Sequence, residues 1–132
     1  MLRSHFTCVK TQIKERPYLI EALQVMGHDI EENKVLVVNS AVHAEEHPEI
    51  FAEVAIRIDI GFRWNKNTEN YELVAELDTW DLDVPVSRFI DKVTQQYART
   101  AVHNLVKEEG FEIAEEWEMD DNSIELTVTR WV

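Results

Sequence analysis

The sequence predicts an α+β protein, a two-layer sandwich in which a mostly antiparallel sheet carries two helices packed on one face. Apolar side chains occupy every even position from 52 to 64, a period of two that is typical of a strand with one buried face. Two other segments, ending at Gly27 and Gly110, space their apolar residues as helices do. Most of the predicted strands follow one another directly. We therefore expect hairpins, which make a sheet antiparallel.

The first part of the chain is expected to form a strand, a helix and a second strand. Residues 4–13 favour a strand because valine and threonine prefer extended backbone. Pro17 suits the first turn of a helix, and Gly27 is placed to end it. The second strand is expected over 28–33 or over 35–39.

The long strand over 52–64, which follows a polar connection over 40–51, is expected to pair with a strand that starts at Tyr71. Aligning Trp64 with Tyr71 places apolar residues opposite apolar residues and arginines opposite acids. The further pairs are Phe62 with Leu73, Ile60 with Ala75, Ile58 with Leu77, Arg63 with Glu72 and Arg57 with Asp78. A slip of one residue would exchange the buried and the wet face, so the register is well specified.

A second, longer helix is expected to open at Pro85 and Ser87 and to close at Gly110. Its predicted buried stripe consists of Phe89, Ile90, Val93, Tyr97, Ala101 and Leu105.

A last hairpin should turn at residues 120–123, with Trp117 in the core and Met119 opposite Ile124. In that register Arg130 lies diagonal to Glu115, within reach of a structural salt bridge.

The composition predicts a single domain over residues 1–132 in a reducing compartment, the cytoplasm or a plastid stroma. Cys8 is the only cysteine, so no intrachain disulfide is expected. No apolar run reaches the length of about 20 residues that a bilayer requires, so no membrane insertion is expected. The net charge of −13 repels nucleic acid, which we do not expect as a partner.

The sequence contains one pattern of metalloprotease type, in which His43, Glu46 and His47 have the spacing H-x-x-E-H. Two zinc-binding histidines need a helix to hold them one turn apart, but Pro48 follows at once. We therefore predict no metal site, no cofactor and no catalytic residue. The role of the 40–51 segment stays open.

Cationic residues form a ridge on the second helix, which is the best candidate for an interaction surface. At about 100° per residue, Arg88, Lys92, Arg99 and His103 share one side, with Gln95 beside them. They either neutralise neighbouring acids of the same chain or dock an acidic or polar partner.

Several motifs resemble the hypothetical chloroplast reading frame thirty-five family of cyanobacteria and algal plastids. They are Ser4–Phe6, Asp59–Asn65, Tyr71–Ala75, Trp80, Lys92–Ala98, Gly110–Phe111 and Arg130–Trp131. The resemblance covers nearly the whole chain but omits residues 34–51. It implies the cytoplasm or stroma of a phototroph, and it implies no activity because the family has none established.

The same motifs suggest a polar pocket, because His5, Arg63, Gln95 and Tyr97 match family positions that packing alone does not require. His5 has an alternative role, in which its imidazole bonds backbone groups and holds the chain end.

Three hypotheses of function follow. The first is a non-enzymatic accessory or regulatory protein that binds an unknown protein partner through the helix ridge. The second is a small-molecule binder or enzyme that uses the polar pocket. The third is a homo-oligomer that pairs through a strand edge or the terminal hairpin, near Trp131.

Overall fold

The computed structural model describes residues 6–37, 49–121 and 123–130. The elements are β1 (Phe6–Lys10), α1 (Arg16–Val25), β2 (Glu31–Val37), β3 (Glu49–Arg57), β4 (Ile60–Asn65), β5 (Asn70–Glu76), α2 (Val86–Glu108), β6 (Phe111–Glu118) and β7 (Ile124–Arg130). A short 3₁₀ turn, Leu77–Thr79, follows β5. The first five strands form one sheet in the order β1-β5-β4-β3-β2, and β6 and β7 form a second sheet. All pairs are antiparallel, which confirms the predicted α+β class.

Both helices pack on the same face of the five-stranded sheet. One core cluster joins Leu19 and Leu23 of α1 with Phe89 and Val93 of α2. The sheet side of this cluster consists of Val54, Ile60, Phe62, Tyr71, Leu73 and Ala75. No helix of the described segments is both long and apolar enough to cross a membrane.

The predicted strand 52–64 is wrong in one respect, because it is two strands joined by a two-residue turn, Ile58–Asp59. The turn is hidden because Ile56 is an extra, bulged residue between the pairs Ala55–Gly61 and Arg57–Ile60. A two-residue turn alone would move the buried side chains from even positions in the first strand to odd positions in the second. The extra residue of the bulge moves them back to even positions. The even positions from 54 to 64, apart from Ile58 in the turn, therefore share the buried face that carries the helices. Ala52 is an exception, since it packs in a second cluster with Leu36 and Val74.

The predicted pairing of β4 with β5 is confirmed from Ile60 to Trp64, including Arg63 opposite Glu72. The pairs Ile58–Leu77 and Arg57–Asp78 are wrong, since β4 begins only at Ile60. Ile58 is instead 47% exposed in the turn.

The two predicted positions for the second strand merge into one strand, β2, and the first strand ends at Lys10 rather than at residue 13. Residues 49–51 of the predicted polar connection belong to β3. The rest of that connection, residues 40–48, lies outside the described residues, as do its two histidines.

Both helix boundaries follow the predicted signals. Pro17 lies in the first turn of α1, Pro85 precedes α2, and Gly27 and Gly110 adopt positive φ after the helix ends. Leu105 is a correction to the predicted buried stripe, because it is 55% exposed. Arg99 and His103, in the same half of α2 as Leu105, contact the hairpin through Glu116.

The β6–β7 hairpin differs from the predicted register. Glu118, and not Met119, lies opposite Ile124, and a bulge at Ala114 shifts the pairing again. The predicted salt bridge between Glu115 and Arg130 is wrong for this reason.

The shifted register gives each of these side chains another neighbour. Glu115 faces Thr127, while the Arg130 guanidinium carbon lies 5.9 Å from the Phe111 ring centroid. The predicted core position of Trp117 is wrong, because the side chain is 41% exposed.

Candidate functional site

A groove runs between α2 and the terminal hairpin. Three adjoining cavities of about 280, 220 and 240 Å³ form it, and Gln95 lines all three. The charged end is lined by Arg88, Asp91, Lys92 and Glu118, the middle by Gln96, Arg99, Glu116 and Trp117, and the apolar end by Ala98, Val102, Ile124 and Leu126. We call this feature the α2–hairpin groove.

Glu116 anchors the hairpin to α2 and thereby shapes the groove. Its carboxylate accepts from Arg99 Nε at 2.6 Å and lies 3.1 Å from His103 Nε2. Its side chain is only 17% exposed, although the rest of the hairpin carries its acids at the surface. The bulge at Ala114 is what turns Glu116, rather than Glu115, toward the helix. Sequence alternation missed Glu116 because it cannot show a bulge.

The predicted ridge on α2 divides into two parts. Arg99 and His103 are bound to Glu116, so this pair serves the fold of the chain itself. Arg88 and Lys92 are exposed, and no ion pair to either is found in the part of the chain that the structure describes. The ridge is therefore one wall of a concave groove, and its charged end is where cations remain available to a partner.

The structure does not bring together the four residues of the suggested polar pocket. Arg63 lies on the face of the sheet opposite α1 and α2, where its guanidinium is 3.2 Å from Glu72 and 3.4 Å from Cys8 Sγ. Tyr97 lies on the helix side, packed against the core cluster there. Gln95 lines the α2–hairpin groove, and His5 is outside the described residues.

Tyr97 and Arg63 each have a structural role where they stand. The Tyr97 hydroxyl accepts the backbone N–H groups of Lys14 and Glu15, which ties the β1–α1 connection to α2. On the other face, a hydrogen bond from Asn65, together with Arg63, lowers the pKa of Glu72 from its usual value. Glu72 thus stays ionised and holds two neighbouring side chains.

A second cavity, of about 360 Å³, lies between the end of α1 and the start of α2, and we call it the His28 cavity. It is lined by Met26, Gly27, His28, Arg57, Asp81, Leu82, Asp83, Val84, Phe89 and Lys92. The Arg57 guanidinium lies 3.2 Å from Asp81, and both side chains line the cavity. Sequence reasoning missed this cavity because Arg57 reaches it only through the hidden β3–β4 turn.

His28 packs the edge of its ring against Phe89, with 5.7 Å between the ring centroids. Burial, and then the charge of Arg57, lower the pKa of His28 below its ordinary value of 6.5. The imidazole is therefore neutral at neutral pH and can both donate and accept a hydrogen bond.

We expect the lowered pKa of His28 to make the fold less stable in mild acid. Below about pH 6.5 the unfolded chain protonates this histidine more readily than the folded chain does, so the free energy of unfolding falls. Urea titrations at pH 7.5 and 5.5 should show a smaller loss for His28→Gln than for wild type. Equal losses in the two proteins would contradict this expectation.

Comparisons with known proteins agree with the motifs in the sequence. The profile of a family described as "Protein of unknown function (DUF1257)" matches residues 22–127. This chain belongs to the DUF1257 family. It is 33% identical over 132 residues to "Uncharacterized protein ycf35" of Pyropia yezoensis, which covers 97% of this chain and 98% of the relative. Proteins of the same name from Guillardia theta and Cyanophora paradoxa are each 31% identical, with the same coverage. No solved structure matches the chain significantly.

The region that matches the DUF1257 family contains both cavities described above. The groove-lining residues lie between Arg88 and Leu126, and those of the His28 cavity between Met26 and Lys92. Across the described segments, no three His, Cys, Asp or Glu side chains are grouped so that they could hold a metal ion. The H-x-x-E-H pattern of His43 to His47 lies outside those segments.

Proposed function

We propose that this member of the DUF1257 family is a non-enzymatic accessory or regulatory protein of a photosynthetic organism that binds a protein partner in the α2–hairpin groove. The observation that carries the proposal is the row of three cavities along one side of α2, all of which have Gln95 in their walls. An elongated groove with one charged and one apolar end suits a peptide segment better than a compact metabolite. The names of the algal relatives support a plastid stroma or the cytoplasm of a phototroph as its location.

The dimensions of the groove define the segment that it fits. From Arg88 to Val102 the helix rises by about 21 Å, which an extended segment of about six residues would span. An acidic side chain of the partner would lie at Arg88 and Lys92. Apolar side chains of the partner would lie at the other end, against Val102 and Leu126.

Reversing the charges of Arg88 and Lys92 should remove the partner. We expect affinity capture with Arg88→Glu, Lys92→Glu to recover at least about tenfold less partner than wild type, because two attractive contacts become repulsive. The bait is the tagged protein in an extract of an alga that carries a relative. Arg99 is left unchanged, since its loss would release Glu116 and disturb the fold.

The control variant is Lys14→Glu, Lys66→Glu, which changes the net charge equally at two exposed positions outside the groove. It should retain the partner. Equal recovery by all three baits would place binding elsewhere, and equal loss in both variants would mean that net charge, and not the groove, decides it.

A second candidate function is small-molecule binding in the His28 cavity, and not in a pocket formed by His5, Arg63, Gln95 and Tyr97. The favourable observation is a concave site with an aromatic wall, Phe89, and a neutral imidazole beside Arg57. If the extract yields no protein partner, native mass spectrometry of the recovered wild-type protein should show a discrete added mass. That mass should be absent from Arg57→Ala, which alters this cavity and leaves the groove intact.

A further inference from the structure

The two-stranded sheet of the terminal hairpin is incomplete by the standards of stable sheets. Isolated hairpins are marginal in water and need further strands or a well-packed helix to be stable. No side chain of β6 or β7 is fully buried, and the contact with α2 leaves open cavities. Both outer edges of this sheet lack a strand partner among the described residues.

The strands that the structure describes leave four sheet edges unpaired, and three of these carry features that prevent pairing with another chain. Such features are charges, bulges, left-handed residues and short length. β2 combines Glu31, Glu32 and Lys34 with a positive φ at Asn33. β1 ends at the charged residue Lys10. β6 contains four glutamates and the bulge at Ala114.

The edge of β7 has no such protection. Its seven residues include no proline and no bulged residue. Before Arg130 at its end, Glu125 is the one charged residue of the strand. Thr127, Val128 and Thr129 are exposed and strongly favour extended backbone. A long edge of this kind is normally paired in the native assembly.

We propose that β7 pairs antiparallel with β7 of a second copy of this chain, which makes one four-stranded sheet across a two-fold axis at Thr127. In this register Thr127 faces its own copy, Leu126 faces Val128, Glu125 faces Thr129 and Ile124 faces Arg130. No like charges stand opposite each other. The interface uses the β7 edge and not the α2–hairpin groove, so it does not rest on the proposed function.

The charge distribution of the hairpin selects a copy of the same chain in the antiparallel direction. Arg130 is the only basic residue of the hairpin and lies at its open end, whereas Asp120 and Asp121 lie at the turn. The antiparallel arrangement places each Arg130 beside the acidic turn of the other copy. A parallel arrangement would place the two arginines together and the two acidic turns together.

An exposed apolar side chain of β7 lies where the second copy would cover it. Val128 is 38% exposed. In the proposed register Leu126 of the second copy lies opposite Val128, so the added strand would withdraw part of the Val128 side chain from water.

A matched pair of lysine substitutions tests the interface and its register. Thr127 and Thr129 each lie opposite a glutamate of their own hairpin, Glu115 and Glu112, so both lysines have the same surroundings within one chain. Across the two-fold axis, Thr127→Lys opposes its own copy, whereas Thr129→Lys opposes Glu125. We expect Thr127→Lys to raise the dissociation constant of the dimer at least about tenfold, while Thr129→Lys leaves it unchanged or lowers it.

Light scattering after size-exclusion chromatography measures the molar mass of each variant. Wild type and Thr129→Lys should give twice the mass of the 15.5 kDa chain, and Thr127→Lys a single copy at the same concentration. A wild type that stays monomeric up to about 100 μM, far above ordinary dimer dissociation constants, overturns the proposal. Equal behaviour of the two lysine variants overturns it as well.

A disulfide test remains informative even if a lysine variant folds poorly. In a Cys8→Ser background, Thr127→Cys should form a linked dimer on oxidation, because the axis brings the two Cβ atoms within bonding range. Thr129→Cys should stay unlinked, and equal linkage of both contradicts the register. Arg88→Glu, Lys92→Glu should remain dimeric, so a failure of the groove proposal is recognised separately.

Discussion

Replacing Gly61 by valine is expected to lower the free energy of unfolding by about 3 kcal/mol, the upper range for an overpacked core. A Cβ atom at this position would lie 2.9 Å from the Val54 carbonyl oxygen and 3.0 Å from the Ala52 Cβ. The oxygen belongs to a paired strand and cannot move without loss of the β3–β4 ladder. Urea unfolding followed by tryptophan fluorescence measures the change.

Gly27→Ala provides the control with a different physical cause. Gly27 has a positive φ but open space around the position of a Cβ atom, so an alanine there adds backbone strain without a steric clash. We expect a loss of about 1 kcal/mol there. If Gly61→Val lowers the free energy of unfolding by no more than Gly27→Ala does, the close contacts at Gly61 do not limit the packing there.

Replacing Glu116 by alanine is expected to lower the free energy of unfolding by about 1–2 kcal/mol and to release the hairpin from α2. The carboxylate forms an ion pair with Arg99 and lies within hydrogen-bond distance of His103, and its removal leaves both side chains without this partner at the contact. The estimate stays at this level because Arg99 is partly in water. Amide hydrogen exchange should quicken across β6 and β7 before the five-stranded sheet is affected.

Glu115→Ala is the matched control, one residue away on the same strand. Glu115 is exposed, faces Thr127 and makes no ion pair with a described residue, so its loss should change stability by less than about 0.5 kcal/mol. Comparable losses in the two variants would mean that the bulge at Ala114 does not select Glu116 as the anchor.

Much of the fold could be predicted because local and pairwise patterns determine it. The pairing of β4 with β5 follows from alternation and opposite charges, and only one register satisfies both. The helix ends follow from Pro17, Pro85 and the glycines, whose backbone preferences act without tertiary help.

The two bulges show where such prediction fails. Each adds one residue to a strand without a signature in its composition, at Ile56 and at Ala114. The bulge at Ile56 hides the β3–β4 turn from the sequence pattern. The bulge at Ala114 makes Glu116, and not Glu115, the residue that contacts α2. A pattern of period two records side-chain polarity but not the count of residues between ladder pairs.

The candidate sites show the same division between sequence and tertiary structure. Helical periodicity alone places Arg88, Lys92, Gln95 and Arg99 on one side of α2, so their grouping follows from the amino-acid order. That this side is the wall of a groove, that Glu116 binds Arg99 and His103, and that Arg63 and Tyr97 lie apart are features of the folded chain. These outcomes depend on how separate elements meet, and that is set by packing across long distances in the chain rather than by the residues next to each site.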